Sequence, residues 1–477
     1  MARKISIIGS GPGGYIAAIR AAQLGGEVTI IEQDKVGGTC LNRGCIPSKV
    51  MIKTAEMLEN FRRAEEFGIH SIGPVRPDLL KLMDRKEKVI KSQAEGIDKL
   101  LKKNKIRYLK GNGFIKEPGL TTVKPEDGNT IEIPYDSLIL AIGSYPVSLP
   151  TIPFDGDRII SSNEALDLRE IPESILIVGG GVIGCEFASV LAALGSKVTV
   201  VEALSRMLPL PSVDEDCSKV LQREMKKRKI KLIVNRVVES YKDKDGKLSV
   251  TIGPSPFLEN SGEKEKILTN EEVDKILVCV GRKPNTGSIG LDNIGVNLDE
   301  KGWIIANEKM ETSIAGVYAI GDVLGPHKIM LAHVASAEGL VAAENTMGGI
   351  KKMDYTAVPG AIFTTPEVAN VGLTEAQAKK INDKVRADSV LFRTLGKAQV
   401  AGEIAGMAKI VSDADTGRIL GVHIVGSHAT DLIAEGTLAI NSGCSVKDLA
   451  ATIHAHPTFS EVMQEASFKA LDRSLDG

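Results

Sequence analysis

Cys40 and Cys45 are the residues most suited to chemistry, set in Gly37-Gly38-Thr39-Cys40-Leu41-Asn42-Arg43-Gly44-Cys45-Ile46-Pro47-Ser48-Lys49. On a straight helix, residues five apart have Cα atoms roughly 8–9 Å apart, beyond the ~4.4–6.8 Å that a disulfide tolerates. If the two thiols bridge, the backbone between them must bend, and Gly37, Gly38, Gly44 and Pro47 permit that. So small a loop contributes little as a structural staple, and a strained bridge favours reduction and exchange. A zinc half-site is the other option, but no second Cys/His pair stands at ligand spacing. The remaining cysteines (Cys185, Cys217, Cys279, Cys444) are scattered singly in apolar or helical contexts and read as small buried hydrophobes. Six cysteines in 477 residues do not make a secreted disulfide scaffold.

A dithiol must lose protons before it attacks a disulfide, so a base titrating near neutrality is required. Seven histidines are available. His70, His327 and His428 read as loop residues and His423 as part of a strand. His456 differs because Pro457 fixes the chain beside it and Glu461 follows across an expected helix start, which Thr458 or Ser460 would cap. A carboxylate on one imidazole nitrogen orients the ring and makes it more basic. On chemistry alone this makes His456 and Glu461 one candidate base–orienter pair, with a structural histidine in a helix-start loop the equal alternative and His454 the second choice as base.

The elements around these groups repeat. Ile5–Ile8 leads into Gly9-Ser10-Gly11-Pro12-Gly13-Gly14, an Ala-rich helix over 15–24, the strand Val28–Ile31 and then Glu32. Ile175–Val178 leads into Gly179-Gly180-Gly181-Val182-Ile183-Gly184, a helix to Leu194, Val198–Val201 and Glu202. Every key position is displaced by 170 residues. Each copy is a dinucleotide fingerprint in its proper setting. The first glycine turns the chain, the second admits a pyrophosphate, the third packs helix on strand, and the acid suits ribose hydroxyls. Glu202 would repel a 2′-phosphate and so predicts NAD over NADP, although Arg206 lies close by. Leu138–Ser144, Ile276–Arg282 and Val317–Asp322 each read as a buried strand running into a turn of small residues. Asp322 can serve a cofactor hydroxyl or cap the next helix. Beyond about residue 350, strands at 408–411 and 419–425 and helices near 431–442 and 461–471 read as α+β without a nucleotide signature.

These motifs closely resemble the pyridine nucleotide–disulfide oxidoreductases, and the resemblance covers essentially the whole chain. It extends to Met330-Leu331-Ala332-His333 and to His454-Ala455-His456-Pro457-Thr458-Phe459-Ser460-Glu461. It implies an α/β fold with two Rossmann-like dinucleotide-binding domains, for FAD and NAD, plus a C-terminal α+β dimerisation domain. The implied boundaries are 1–149 (FAD), 150–275 (NAD), 276–350 (a central part completing the FAD site) and 351–477 (dimerisation). Carried over by position, Cys40 would attack the substrate disulfide and Cys45 would form a charge-transfer thiolate against the flavin. Lys49 would stand near the flavin ring, partnered by Glu186. Around FAD the resemblance gathers Gly9, Gly11, Gly14, Glu32, Lys49, Gly113, Gly143, Asp322, Met330, Leu331, Ala332 and His333. Around NAD it gathers Gly179, Gly181, Gly184, Glu186, Glu202, Val237 and Gly281. The match at His456-Pro457-Thr458-Phe459-Ser460-Glu461 implies that His456 is the base and Glu461 its orienter; in the family the base comes from the partner subunit of a homodimer, whereas this sequence leaves open whether His456 acts in cis or in trans.

Within the family, CLNRGCIPSK is similar to the branch that converts dihydrolipoamide and NAD⁺ to lipoamide and NADH. Its partners would be lipoyl-bearing proteins of 2-oxoacid dehydrogenase or glycine cleavage complexes. Glutathione-type relatives read more like CVNVGCVPKK and carry basic residues near the Glu202 position. Mercuric and high-molecular-weight thioredoxin reductases need cysteines near the C-terminus, and soluble transhydrogenases lack the first cysteine of the pair. The alternatives are an NAD(P)H-dependent reductase of another small disulfide and a flavin redox sensor without turnover. The segment 252–270 is longer and more polar than usual, and Thr365 stands where histidine is common.

Bulk properties agree with an enzyme of several domains. Hydrophobic residues make 43%, charged residues 25%, and the net charge is −2, which gives no footprint for nucleic acid or an anionic membrane. No apolar run reaches the ~18 residues of a bilayer span. The first strand begins almost at once, leaving no room for a signal peptide, so a cytoplasmic or processed chain is expected.

Overall fold

The computed structural model describes residues 2–70, 73–125, 128–258 and 267–473. Part of the long polar insert (259–266) and the cysteine-free C-terminal residues 474–477 lie outside the described residues. The chain forms two compact units. One comprises Met1–Val50, Leu80–Val147 and Gly281–Asp354, and the other Met51–Leu79, Ser148–Val280 and Tyr355–Gly477.

The first unit is built on a parallel sheet ordered Val317–Ala319, Ser137–Leu140, Lys4–Ile8, Glu27–Glu32, Arg107–Lys110. Ile5, Ile7, Ile30, Leu138, Ile139 and Leu140 are buried on these strands. Such uninterrupted apolar runs suit a sheet covered on both faces. The helix Pro12–Gln23 covers one face through Ala17, Ala18 and Ala21. It starts at Pro12 because proline fits a first helical position. The helix Ala332–Thr346 packs against it so closely that a Cβ on Gly339 would lie 2.5 Å from the Gly13 carbonyl oxygen. A three-stranded antiparallel sheet, Asn112–Glu117, Leu120–Lys124 and Ile131–Pro134, completes this unit.

The second unit repeats the plan with Lys231–Ile233, Lys197–Val201, Ser174–Val178, Lys275–Val278 and Ile159–Ile160, all parallel. Ile5 pairs with Val28 in the first sheet and Ile175 with Val198 in the second, so the 170-residue repeat is kept in strand register. An antiparallel meander, Arg236–Lys244, Lys247–Pro254 and Thr269–Val273, adjoins it. The C-terminal part is an antiparallel sheet ordered Gly360–Ile362, Glu367–Gly372, Ile419–Gly426, Met407–Asp413, Val385–Leu391. The helices Ala429–Asn441 and Glu461–Ala470 pack on it through Ile433, Val462, Met463 and Ala466.

The strand Lys275–Val278 pairs with Ser174–Val178, and the second unit includes residues 148–280. The strand's apolar run suits burial on both faces, which a position inside the sheet supplies. Residues 51–79 also belong to the second unit. Arg62 Nη2 donates to the Ala193 carbonyl (2.7 Å), and Arg228 pairs with Glu59 (3.1 Å). Among the described residues no helix is long and apolar enough to cross a membrane.

Candidate active site

The thiol pair occupies a broken helix, the kind of bend that a bridge between them would need. A short helix, Gly38–Arg43, stops at Gly44, and a new one, Cys45–Arg62, begins at once. A Cβ on Gly44 would lie 3.0 Å from the Thr39 oxygen and 3.3 Å from Cys40 Cα, a tight fit that favours glycine there. The break lets the side chains of Cys40 and Cys45 hydrogen-bond to one another, both as reduced, half-buried thiols. The Cys40 thiol is pushed far above its ordinary range by that hydrogen bond, by burial and by negative charge on Cys45, while Lys49 pulls it down. Two thiols this close do not both ionise readily, so the pair keeps one proton tightly.

The same segment is docked on the first fingerprint. Gly37 N–H donates to the Ser10 carbonyl (3.0 Å), and a Cβ on Gly38 would sit 2.6 Å from Gly11 Cα. Asn42 Nδ2 donates back to the carbonyls of Val36 (3.0 Å) and Gly38 (2.9 Å), and Arg43 pairs with Asp34 at 2.6 Å. These supports are not legible in sequence, because they depend on how the loop folds back.

The two fingerprints match group by group. Gly9 N–H donates to the Ile31 oxygen and Gly179 N–H to the Val201 oxygen, both at 2.8 Å. Glu32 accepts from the N–H of Ser10 (2.8 Å) and Asp34 (2.9 Å), and Glu202 from those of Gly180 (2.6 Å) and Leu204 (2.8 Å). A Cβ on Gly14 would lie 2.0 Å from the Gly9 oxygen, and one on Gly184 1.9 Å from the Gly179 oxygen. The middle glycines are different. Nothing lies within 4 Å of a Cβ on Gly181, and only Gly38 Cα, at 4.0 Å, approaches one on Gly11. Each loop is thus closed where the protein packs and open where a pyrophosphate must approach backbone. Both cradles fit a dinucleotide. Arg206 is turned onto its own loop, donating to the carbonyls of Leu208 (2.8 Å), Leu210 (3.1 Å) and Val213 (3.0 Å).

The turn residues that end the three strand-turn segments meet in the first unit. Ser144 Oγ donates to Asp322 (2.7 Å), Arg282 Nε donates to Ser144 Oγ (2.6 Å), and Arg282 lies 3.5 Å from Asp322. Of these three interacting residues only Asp322 is expected from the sequence, although Ser144 and Arg282 lie in segments similar to its own. Asp322 lies inside a short 3₁₀ turn, Gly321–Leu324, where it caps no helix with its side chain. Gly321 N–H donates to buried Glu338 (2.7 Å), a group the sequence did not flag. Gly143 and Gly281 hold positive φ with open space around them, and Gly113 packs over Ile8 and Ile31. Met330 and Leu331 lead into the helix carrying Ala332 and His333, which has no side-chain cap.

In the second unit, Val237 lies half-buried on the meander, opposite Gly253. Glu186 is buried and accepts the Phe363 N–H at 2.9 Å. His456 Nδ1 meets Glu461 Oε1 at 2.8 Å, and Glu461 Oε2 accepts the Thr458 N–H at 2.8 Å. Burial would raise the Glu461 carboxyl, but the Thr458 N–H and His456 hold it below its ordinary range. The imidazole of His456 is 76% exposed, so its second nitrogen faces outward. His454 has both nitrogens engaged, with Thr452 O (3.0 Å) and Glu435 (2.9 Å). His423 is fully buried on a strand. The expected side-chain cap is absent: Ser460 precedes the last helix without capping it, and its hydroxyl meets Thr458 Oγ1 at 2.8 Å.

Comparison with known proteins agrees with this construction. The family model described as "Pyridine nucleotide-disulphide oxidoreductase" matches residues 3–339, and that family's dimerisation domain matches 358–467. The chain is 41% identical to dihydrolipoyl dehydrogenase of Chlamydia trachomatis over 471 residues, covering 98% of this chain and 97% of the relative. It is 42% identical to dihydrolipoyl dehydrogenase of Bacillus subtilis, covering 99% and 98%. The crystal structure of LpdA from Mycobacterium tuberculosis superposes with a TM-score of 0.88 at 28% identity, covering 98% of this chain and 99% of that one. With its two dinucleotide cradles, for FAD and NAD, and its dimerisation domain, the chain belongs to the pyridine nucleotide-disulphide oxidoreductases, a family of flavoprotein enzymes.

Proposed function

We propose that this enzyme is a dihydrolipoyl dehydrogenase, oxidising dihydrolipoamide to lipoamide with NAD⁺, with Cys40 and Cys45 as the redox pair. The observation that carries the disulfide chemistry is the hydrogen-bonded thiol pair docked on the open glycine of the first cradle. The lipoyl substrate is supported by full-length relatives of that name at about 40% identity.

Gly9, Gly11, Gly14, Glu32 and Asp322 would hold FAD, and Gly179, Gly181, Gly184 and Glu202 would hold NAD. Bound FAD supplies the two-electron link between a thiol pair and a nicotinamide. The chain's own groups handle sulfur and protons. A substrate thiolate attacks Cys40 of the Cys40–Cys45 disulfide, forming a mixed disulfide and releasing Cys45 as thiolate. His456 takes the proton of the second substrate thiol. That sulfur then attacks the substrate sulfur bound to Cys40, which closes lipoamide and frees the Cys40 thiolate to recover the proton. Two electrons have then moved from substrate to the protein dithiol. Lys49, whose charge already acts on Cys40, favours the thiolate. Glu202, with the nearby Arg206 turned onto carbonyls of its own loop, supports NAD over NADP.

The dimerisation domain makes a homodimer the working form, and the outward imidazole of His456 suits a base supplied to the partner's thiol pair. Lipoyl arms would arrive on separate proteins of 2-oxoacid dehydrogenase or glycine cleavage complexes. Unpaired, buried Cys185 and Cys217 support a cytoplasmic setting. The test is NADH formation by the purified holoenzyme from dihydrolipoamide and NAD⁺, beside NADP⁺ and beside NADH with glutathione disulfide or CoA disulfide. Strong turnover on another disulfide with none on dihydrolipoamide would overturn the substrate assignment.

A further inference from the structure

Lys409 is 3% exposed on the C-terminal strand Met407–Asp413, where few lysines are buried without a purpose. Its ammonium donates to Asp214 Oδ1 (2.8 Å), Asp216 Oδ2 (2.5 Å) and Glu375 Oε2 (3.0 Å). The outer carboxylates are balanced by surface cations, Lys219 for Asp216 and Lys379 for Glu375. Asp214, with a side chain only 4% exposed, leans on Lys409.

Asp214 is also the N-cap of the helix Glu215–Lys227, accepting the Asp216 N–H at 3.1 Å. That helix grips the loop that follows Glu202. Ser218 Oγ donates to the Met207 carbonyl (2.5 Å), and Gln222 accepts the Met207 N–H (3.2 Å). The next residue, Leu208, donates its N–H to the carbonyl of Gly180 at 2.7 Å, inside the second fingerprint. Gly180 in turn donates to Glu202 at 2.6 Å. A continuous set of short polar contacts therefore runs from Lys409 through Asp214, Met207 and Leu208 to the glycine loop and the ribose acid. The loop of the first fingerprint is backed instead by the Gly37-Gly38 turn.

We infer that Lys409 is a positioning residue for the pyridine nucleotide: by fixing the cap of the helix Glu215–Lys227, it sets the glycine loop and Glu202 at their binding geometry. The inference rests on assigning the second cradle to NAD and not on the identity of the dithiol substrate. Removing the ammonium leaves three carboxylates facing one another, which splays the helix start away from the sheet.

The test measures the NAD⁺ dissociation constant of the purified, oxidised holoenzyme by calorimetry, together with the NAD-independent rate of flavin reduction by dihydrolipoamide. Lys409→Met is expected to weaken NAD⁺ about tenfold and to leave the dithiol rate within twofold. Lys409→Arg, which keeps the cation, stays within threefold of the parent in NAD⁺ affinity. Asp214→Asn keeps a helix cap but loses the charge, and it weakens NAD⁺ in the same direction if Lys409→Met fails to fold. Unchanged NAD⁺ affinity in a folded Lys409→Met or Asp214→Asn protein overturns the inference. An equal loss of both readouts also overturns it, because that marks general loosening. A parent enzyme that binds NAD⁺ yet ignores dihydrolipoamide removes only the substrate assignment, and the affinity readout still decides the role of Lys409.

Discussion

Replacing Glu461 by glutamine isolates the role of the dyad. The carboxylate serves two donors at once, His456 Nδ1 at Oε1 and the Thr458 N–H at Oε2, each at 2.8 Å. An amide has one oxygen, so glutamine must point its NH₂ group at one of two N–H donors. The rotamer that keeps the imidazole bond loses the loop bond, and the reverse rotamer leaves His456 without an acceptor. When His456 takes the thiol proton it becomes a cation, and its bond to Glu461 is then charge-assisted, contributing about 1.5–3 kcal/mol. Losing that in the transition state lowers kcat roughly 10- to 150-fold. The assay is steady-state oxidation of dihydrolipoamide, with NADH-driven reduction of a one-electron acceptor as a control that needs no thiol base. Glu461→Gln should slow the first and spare the second. A kcat within threefold of the parent, or equal losses in both assays, would refute the base–orienter reasoning.

Two other expectations follow from packing and burial. Gly184→Ala pushes a methyl into the Gly179 carbonyl and should lower Tm by roughly 5–10 °C. Gly181→Ala meets nothing within 4 Å, so it should leave Tm unchanged while weakening NADH severalfold; equal Tm losses in the two variants would show that the cradle is misread. His423 is held neutral, burial lowering it from the ordinary 6.5 despite its bond to the Leu373 carbonyl. Because the unfolded chain takes up this proton more readily, the stability is present above about pH 6.5 and is lost as pH falls through that range. His423→Gln should remove this component from the Tm–pH curve between pH 7 and 5.5, and a curve parallel to the parent's would count against it.

The fold and much of the site were legible because they rest on local necessity. Gly9, Gly14, Gly179 and Gly184 are dictated by carbonyl oxygens about 2–2.5 Å from any Cβ, and such demands leave their mark on sequence at fixed spacing. The bend between Cys40 and Cys45 was readable from disulfide geometry and appears as the break at Gly44. Other features were hidden because they depend on tertiary return of the chain. The strand Lys275–Val278 belongs to the second sheet through pairing with Ser174–Val178, about a hundred residues upstream. Arg282 and Ser144 meet Asp322 only once three distant turns converge. Arg206 looked like a threat to NAD preference until its guanidinium was found spent on three carbonyls of its own loop.

The central claim is that Cys40 and Cys45 alone cycle between disulfide and dithiol, and counting thiols tests it most directly. Of the chain's six cysteines, four should react with a thiol reagent after the oxidised enzyme is denatured, and all six after prior reduction by NADH. Peptide mapping should place the two gained thiols at Cys40 and Cys45. An unchanged count, or new thiols at any other pair, would contradict the account.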